Sequence, residues 1–173
     1  MFKIRTLEEL FTSFEPRKPI IKNMEKIAVN NAVYLQFIGR YQGIEITPDI
    51  QLFGYEEALK ENQYLEKLYP EIAARVWLIG RSGQGDEWLL DKDTQEVIYH
   101  DHEKGEYGGR SHIQDFDISF ETFIKAAFLV KAWEDLLESV GEPGPDLTKQ
   151  YKNALHDVHP AFFDRYPYKT EGR

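Results

Sequence analysis

The sequence contains no cysteine, which excludes a disulfide framework, a thiolate metal site and a cysteine nucleophile together. It also lacks a long apolar run. The longest unbroken one, residues 126–130, falls far short of the roughly 20 residues that a membrane-spanning helix needs. The first ten residues, MFKIRTLEEL, mix charged and apolar side chains and hold no apolar stretch of the kind a secretory signal carries. A soluble, cytoplasmic protein is the expectation. No serine lies in a Gly-x-Ser-x-Gly elbow: Ser82, Ser111, Ser119 and Ser139 all stand outside one, and Ser119 reads as a helix cap. There is no internal repeat and no low-complexity tract.

Basic residues are scarce where acidic ones are dense. Residues 45–103 hold 14 Asp or Glu against 5 Lys or Arg, whereas residues 1–30 hold 4 against 6. An acidic central third repels phosphate, so it disfavours nucleic acid and anionic membranes, and it speeds encounter with a basic protein.

What the chain does have is apolar bulk. Hydrophobic residues make up 42% and aromatic residues 14%, enough for a packed core rather than a disordered chain. At 173 residues one domain is expected, with residues 1–140 as an α+β unit and residues 141–173 as a helical, aromatic extension packed on it.

In chain order, Thr6-Leu7-Glu8-Glu9 predicts a capping box opening a helix that Pro16 ends. Residues 20–43 read as mostly helical, with a break or cap at Asn30-Asn31 and a stop at Gly43. Two short strands, 44–46 and 50–53, flank a Thr47-Pro48-Asp49 turn. A helix spans 55–68 with Pro70 just beyond it, and residues 71–74 form a turn. Three strands, 76–79, 88–90 and 96–99, then make a meander through two turns, the first rich in glycine (Gly80, Gly83, Gly85) and the second Asp91-Lys92-Asp93-Thr94. Trp77 and Trp88 belong to its core. Residues 102–112, with Gly105, Gly108 and Gly109, read as an exposed loop. The strongest helix runs from 120 to 140 and ends at Gly141. A last helix covers 147–158, and Phe162, Phe163, Tyr166 and Tyr168 pack on the domain because four exposed aromatics would leave an apolar patch. The whole reads as α+β, an antiparallel sheet with a meander core and helices packed on it.

Candidate chemistry is thin. The loop from Gly80 to Gly85 has the glycines of a phosphate cradle, but a strand follows it where a helix N-terminus is needed, and Asp86 and Glu87 guard its exit. His100-Asp101-His102 would place two imidazoles on one strand face beside a carboxylate, an alternative that points to a metal-dependent or ligand-dependent enzyme. His156 and His159 precede Pro160, where a helix is ending. No catalytic residue, metal site or cofactor is assigned.

Two stretches, YLQFIGRYQGIEITPDIQLFGYEEALKENQYL and WLIGRSGQGDEWLLDKDTQEVIYHDHE, carry a resemblance. An apolar helix ends in Tyr41-Gln42-Gly43, Leu52-Phe53 leads into the Glu56-Glu57 helix, and Ile79-Gly80 opens the glycine loop. Gly85-Asp86 then enters the strand at Trp88, residues 97–101 follow, and Ser119-Phe120-Glu121-Thr122-Phe123 opens a helix. In order and spacing, residues 32–130 resemble the SUKH superfamily of bacterial immunity proteins and fungal glucan-synthesis regulators. The resemblance implies an α+β domain that binds proteins rather than catalysing a reaction. In bacterial members the partner is a toxin, commonly a nuclease, and the acidic region here suits a basic one. With the charge asymmetry it implies contact through Glu61, Asp86, Glu87, Asp91 and Asp93. A regulatory scaffold of the fungal kind is the other expectation.

Overall fold

A computed structural model describes residues 2–107 and 112–169; Gly108, Gly109 and Ser111 lie outside them. The first helix, α1 (Leu7–Phe11), begins as its residues require. The Thr6 hydroxyl accepts from the Glu9 N–H at 3.2 Å, and a Glu9 carboxylate oxygen accepts from the Thr6 N–H at 2.8 Å.

The second helix, α2 (Ala32–Arg40), covers only the end of the expected 20–43 segment. Asn31 caps it by accepting from the Tyr34 N–H. Residues 20–30 have no helix because local polar groups draw the backbone elsewhere. Asn23 accepts from the Glu25 N–H, and Ile21 donates to the Gly39 carbonyl, so the segment runs back along the end of α2. Gly43 is not the helix stop. A Cβ there would lie 2.7 Å from the Gly54 nitrogen and 2.9 Å from the Leu52 oxygen, so its lack of a side chain permits a close crossing of two backbone segments.

The strands β1 (Ile44–Thr47), β2 (Ile50–Leu52), β3 (Val76–Arg81), β4 (Glu87–Asp91), β5 (Glu96–His100) and β6 (Ile113–Ser119) pair in chain order as one antiparallel sheet. The sequence predicts no strand between the loop at 102–112 and the helix cap at Ser119, where β6 runs. Its pattern is a half-buried strand: Phe116 and Ile118 are buried while Asp115, Asp117 and Ser119 face out. Between β2 and β3 lie α3 (Tyr55–Leu68), at its expected bounds, and α4 (Pro70–Ala73). Here the expected turn is a one-turn helix that starts on Pro70, whose missing N–H costs nothing at that position.

The long α5 (Phe120–Val140) starts on the Ser119 cap and ends at Gly141, whose φ of 74° suits glycine. It packs on the sheet through Phe123, whose ring centroid lies 4.9 Å from that of Trp88. Trp77 donates to the Tyr34 hydroxyl at 2.9 Å, which joins β3 to α2. Both tryptophans are buried, as expected. The remaining helices, α6 (Pro145–Val158) and α7 (Phe162–Arg165), bring the aromatic tail over the same face of the sheet. Phe162 and Tyr166 are buried, and Tyr166 stacks on Trp88 at 6.4 Å. No helix among the described residues is long and apolar enough to cross a membrane.

Candidate functional site

The turn between β3 and β4 consumes its own donors. Gly83 donates to the Pro48 carbonyl at 2.8 Å, Gln84 and Asp86 to the Ser82 hydroxyl at 3.2 and 3.1 Å, and Gly85 to the Ser82 carbonyl at 3.2 Å. Those four N–H groups are the ones a phosphate cradle would offer, so the glycine loop is a structural hairpin. Gly85, with φ of 97°, is the position that needs glycine.

This hairpin buries a carboxylate. Asp86 is 3% exposed. One of its oxygens accepts from the His102 backbone N–H at 3.1 Å and from the His102 ring Nδ1 at 2.6 Å. The other accepts from the Ser82 hydroxyl at 3.2 Å and from the Tyr168 hydroxyl, and the Tyr99 hydroxyl lies 3.0 Å from that of Tyr168. Burial opposes ionisation of Asp86, but the bonds from Tyr168, His102 and Tyr99 outweigh it and hold the carboxyl at about 2. The same bond raises His102 above its ordinary value. Tyr99 and Tyr168 are pushed well up, first by burial and then by their hydrogen bonds and the Asp86 charge. At neutral pH this is an ionised aspartate ringed by donors.

Around it opens a cleft of about 730 Å³. The sheet end contributes Asp49, Gln84, Asp86, Asp101, His102 and Glu103; the end of α5 contributes Leu137 and Glu142; the tail contributes Tyr168 and Lys169. A second cavity of about 320 Å³ shares Leu137, Glu142, Tyr168 and Lys169 with it and is walled by Trp133, Tyr151, Phe163 and Tyr166. Trp133 and Tyr151 stack face to face at 4.6 Å. Two acids near these cavities hold their protons more tightly than usual. Burial, then the neighbouring Asp86, raises Asp49; burial, then Asp49, pushes Glu134 on α5 up to about 7. Another hollow, of about 580 Å³ beside Gly43 and Gly54, is charge-balanced: Arg17 pairs with Glu56, and Arg81 with Glu57 at 3.2 Å. The acidic cleft is therefore the candidate site.

His100 and His102 do not share a face. The strand ends at His100, and Asp101 caps a 3₁₀ turn, His102–Lys104. His102 bonds Asp86, whereas His100 is 4% exposed and places Nδ1 3.1 Å from Glu87. Tyr107 donates to that same Glu87 and stacks on the His100 ring at 4.2 Å. His100 is thus walled into a cluster separate from the cleft. Asp86, Asp101 and His102 each offer a ligand atom, all within 4.8 Å of one another. The facing atoms of Asp86 and His102 are bonded to each other, so a metal ion taken there would displace that bond. His156 is the third residue from the end of α6, and His159 lies beyond it, its Nδ1 accepting from the Ala161 N–H.

The five residues expected to meet a partner are scattered. Asp86 is buried and fully bonded, and Glu87 accepts from Tyr107 and pairs with His100. Asp91 and Asp93 sit at the other end of β4, where Asp91 accepts from the backbone of Asp93 and Thr94 at 2.8 and 2.9 Å. Glu61 lies on α3. Of these five, Asp93 is the one that is exposed, because Asp86 and Asp91 spend their oxygens on holding their turns together. The acids that do converge, Asp49, Asp101, Glu103 and Glu142, come from three separate segments far apart in the chain, with no common spacing to announce them. The chain matches no family model, no curated protein and no solved structure.

Proposed function

We propose that this chain is a protein-binding module of the SUKH immunity type, which neutralises a cognate toxin by covering a basic surface such as a nuclease's substrate face. The observation that carries the reading is the convergence of unbalanced carboxylates on one cleft at the end of the meander. A cation entering it meets Asp49, Asp86, Asp101, Glu103 and Glu142, against which the lining sets one lysine, Lys169. The α+β architecture with an antiparallel meander agrees with what the SUKH resemblance implies. A toxin that meets the protein after reaching the cytoplasm is the setting this reading assumes. The test is to mix the purified chain with toxin domains encoded beside it. Binding that weakens with added salt is expected; no binding to any neighbour at about micromolar concentration overturns the reading.

A further inference from the structure

The acidic cleft and the aromatic cavity are two lobes of one opening, joined where Leu137, Glu142, Tyr168 and Lys169 line both. Their chemistries differ. The first lobe is lined by carboxylates, and Lys169 is its one lysine or arginine. The second has ring walls and, at about 320 Å³, a volume that accepts one large side chain. Tyr166, which helps to wall the second lobe, is itself 3% exposed, with its hydroxyl turned to that of Thr47.

We propose that this two-lobed cleft is where the partner protein inserts a paired anchor, an aromatic side chain in the ring-walled lobe and an adjacent Arg or Lys in the acidic lobe. The inference rests on the protein-binding reading above and names the site it uses. Aromatic and arginine anchors are the side chains that dominate binding energy at protein interfaces, because they fill desolvated pockets. Charge complementarity selects the cationic member: Asp49, Asp101, Glu103 and Glu142 line the same lobe, with Lys169 as its one lysine or arginine. Asp86 sets the floor of the acidic lobe without being spent on the ligand, since four donors already hold it.

The test uses the full chain and two blocked dipeptides, acetyl-Trp-Arg-amide and acetyl-Trp-Glu-amide, titrated to about 10 mM while amide resonances are followed, a range that detects millimolar dissociation constants. The arginine peptide is expected to shift resonances of Gln84, Asp101 to Glu103, Leu137 and Lys169, and the glutamate peptide to leave them in place. Leu137→Trp, which fills the junction of the lobes, abolishes the effect. Asp49→Asn combined with Asp101→Asn weakens it about fivefold or more and serves if Leu137→Trp fails to fold. No shift, equal shifts from both peptides, or shifts centred on Glu61 or Asp93 overturn the proposal. A neighbouring toxin that binds the wild type and these variants equally well sinks the cleft and leaves the protein-binding reading standing. Docking of the arginine peptide with no toxin bound does the reverse.

Discussion

Asn62 stands in for a strand residue that β2 does not supply. β2 covers only Gly80 and Arg81 of β3, so the Leu78 N–H and C=O would face an unpaired edge. The Asn62 amide closes it, accepting from the Leu78 N–H at 2.8 Å and donating to the Leu78 carbonyl at 2.9 Å. Asn62→Leu leaves both backbone groups buried and unpaired and should cost about 2–4 kcal/mol. Urea denaturation checks it, as a fall in midpoint with an unchanged slope. A second prediction concerns Glu134, which faces Asp49 from the β1–β2 turn, Tyr151 from α6, Tyr166 from the tail, and Lys131, Asp135 and Glu138 from its own helix. Its carboxyl is raised from 4.5 to about 7, so the folded chain holds the proton more tightly than the unfolded one. That contribution is complete below 4.5 and disappears as pH climbs through about 7. Wild-type stability should fall by roughly 1–2 kcal/mol between about pH 5 and pH 8 from this group, solvent screening included. Glu134→Gln should flatten that slope in denaturation curves taken across the range; an unchanged slope assigns it elsewhere.

Among the elements, the aromatic tail is held to the sheet by a polar latch as well as by rings. Tyr168 donates to the ionised Asp86 and bonds Tyr99, while Tyr166 stacks on Trp88. Tyr168→Phe keeps the ring and removes a charge-assisted bond of roughly 1.5–3 kcal/mol. Hydrogen exchange should then speed up through Phe162–Arg165 and Tyr166 and stay as it was in α3; slower or unchanged exchange in the tail contradicts the latch. How much of this was legible in the sequence follows from the range of the forces involved. The bounds of α3 and α5 could be read because local signals agree, apolar period and Pro70 for α3, the Ser119 cap, apolar period and Gly141 for α5. The helical reading of 20–43 overreaches in residues 20–30, where an Asn side chain and a contact with Gly39 decide the backbone. β6 was hidden by the glycine-rich stretch before it, although Phe116 and Ile118 already alternate with acids. The site was least legible. Asp86 looks like a surface acid in sequence, and only the arrival of His102 and Tyr168 from positions 16 and 82 residues away makes it a buried one.

At the scale of the whole molecule, the net charge of −9 divides into acids that converge and acids that do not. Long-range attraction depends on the total, since exposed charges act over about 10 Å at 0.1 M salt. Residence on a partner depends on the few groups that become desolvated against it. If the cleft is the docking site, the two sets separate in kinetics. Neutralising the outlying pair with Glu61→Gln and Asp93→Asn should slow association with a basic partner by about twofold or more at low salt, vanish as an effect near 0.5 M salt, and leave dissociation unchanged. Neutralising the cleft pair with Asp49→Asn and Asp101→Asn should slow association to a similar degree and also speed dissociation about tenfold or more at every salt concentration, because the partner's cation then loses its counter-charge in a desolvated lobe. Surface-bound kinetics across a salt series distinguishes these outcomes. Faster dissociation from the outlying variant, with the cleft variant holding its partner as long as wild type, would move the interface to α3 and the far turn, leaving the buried acids with the structural task of holding the tail.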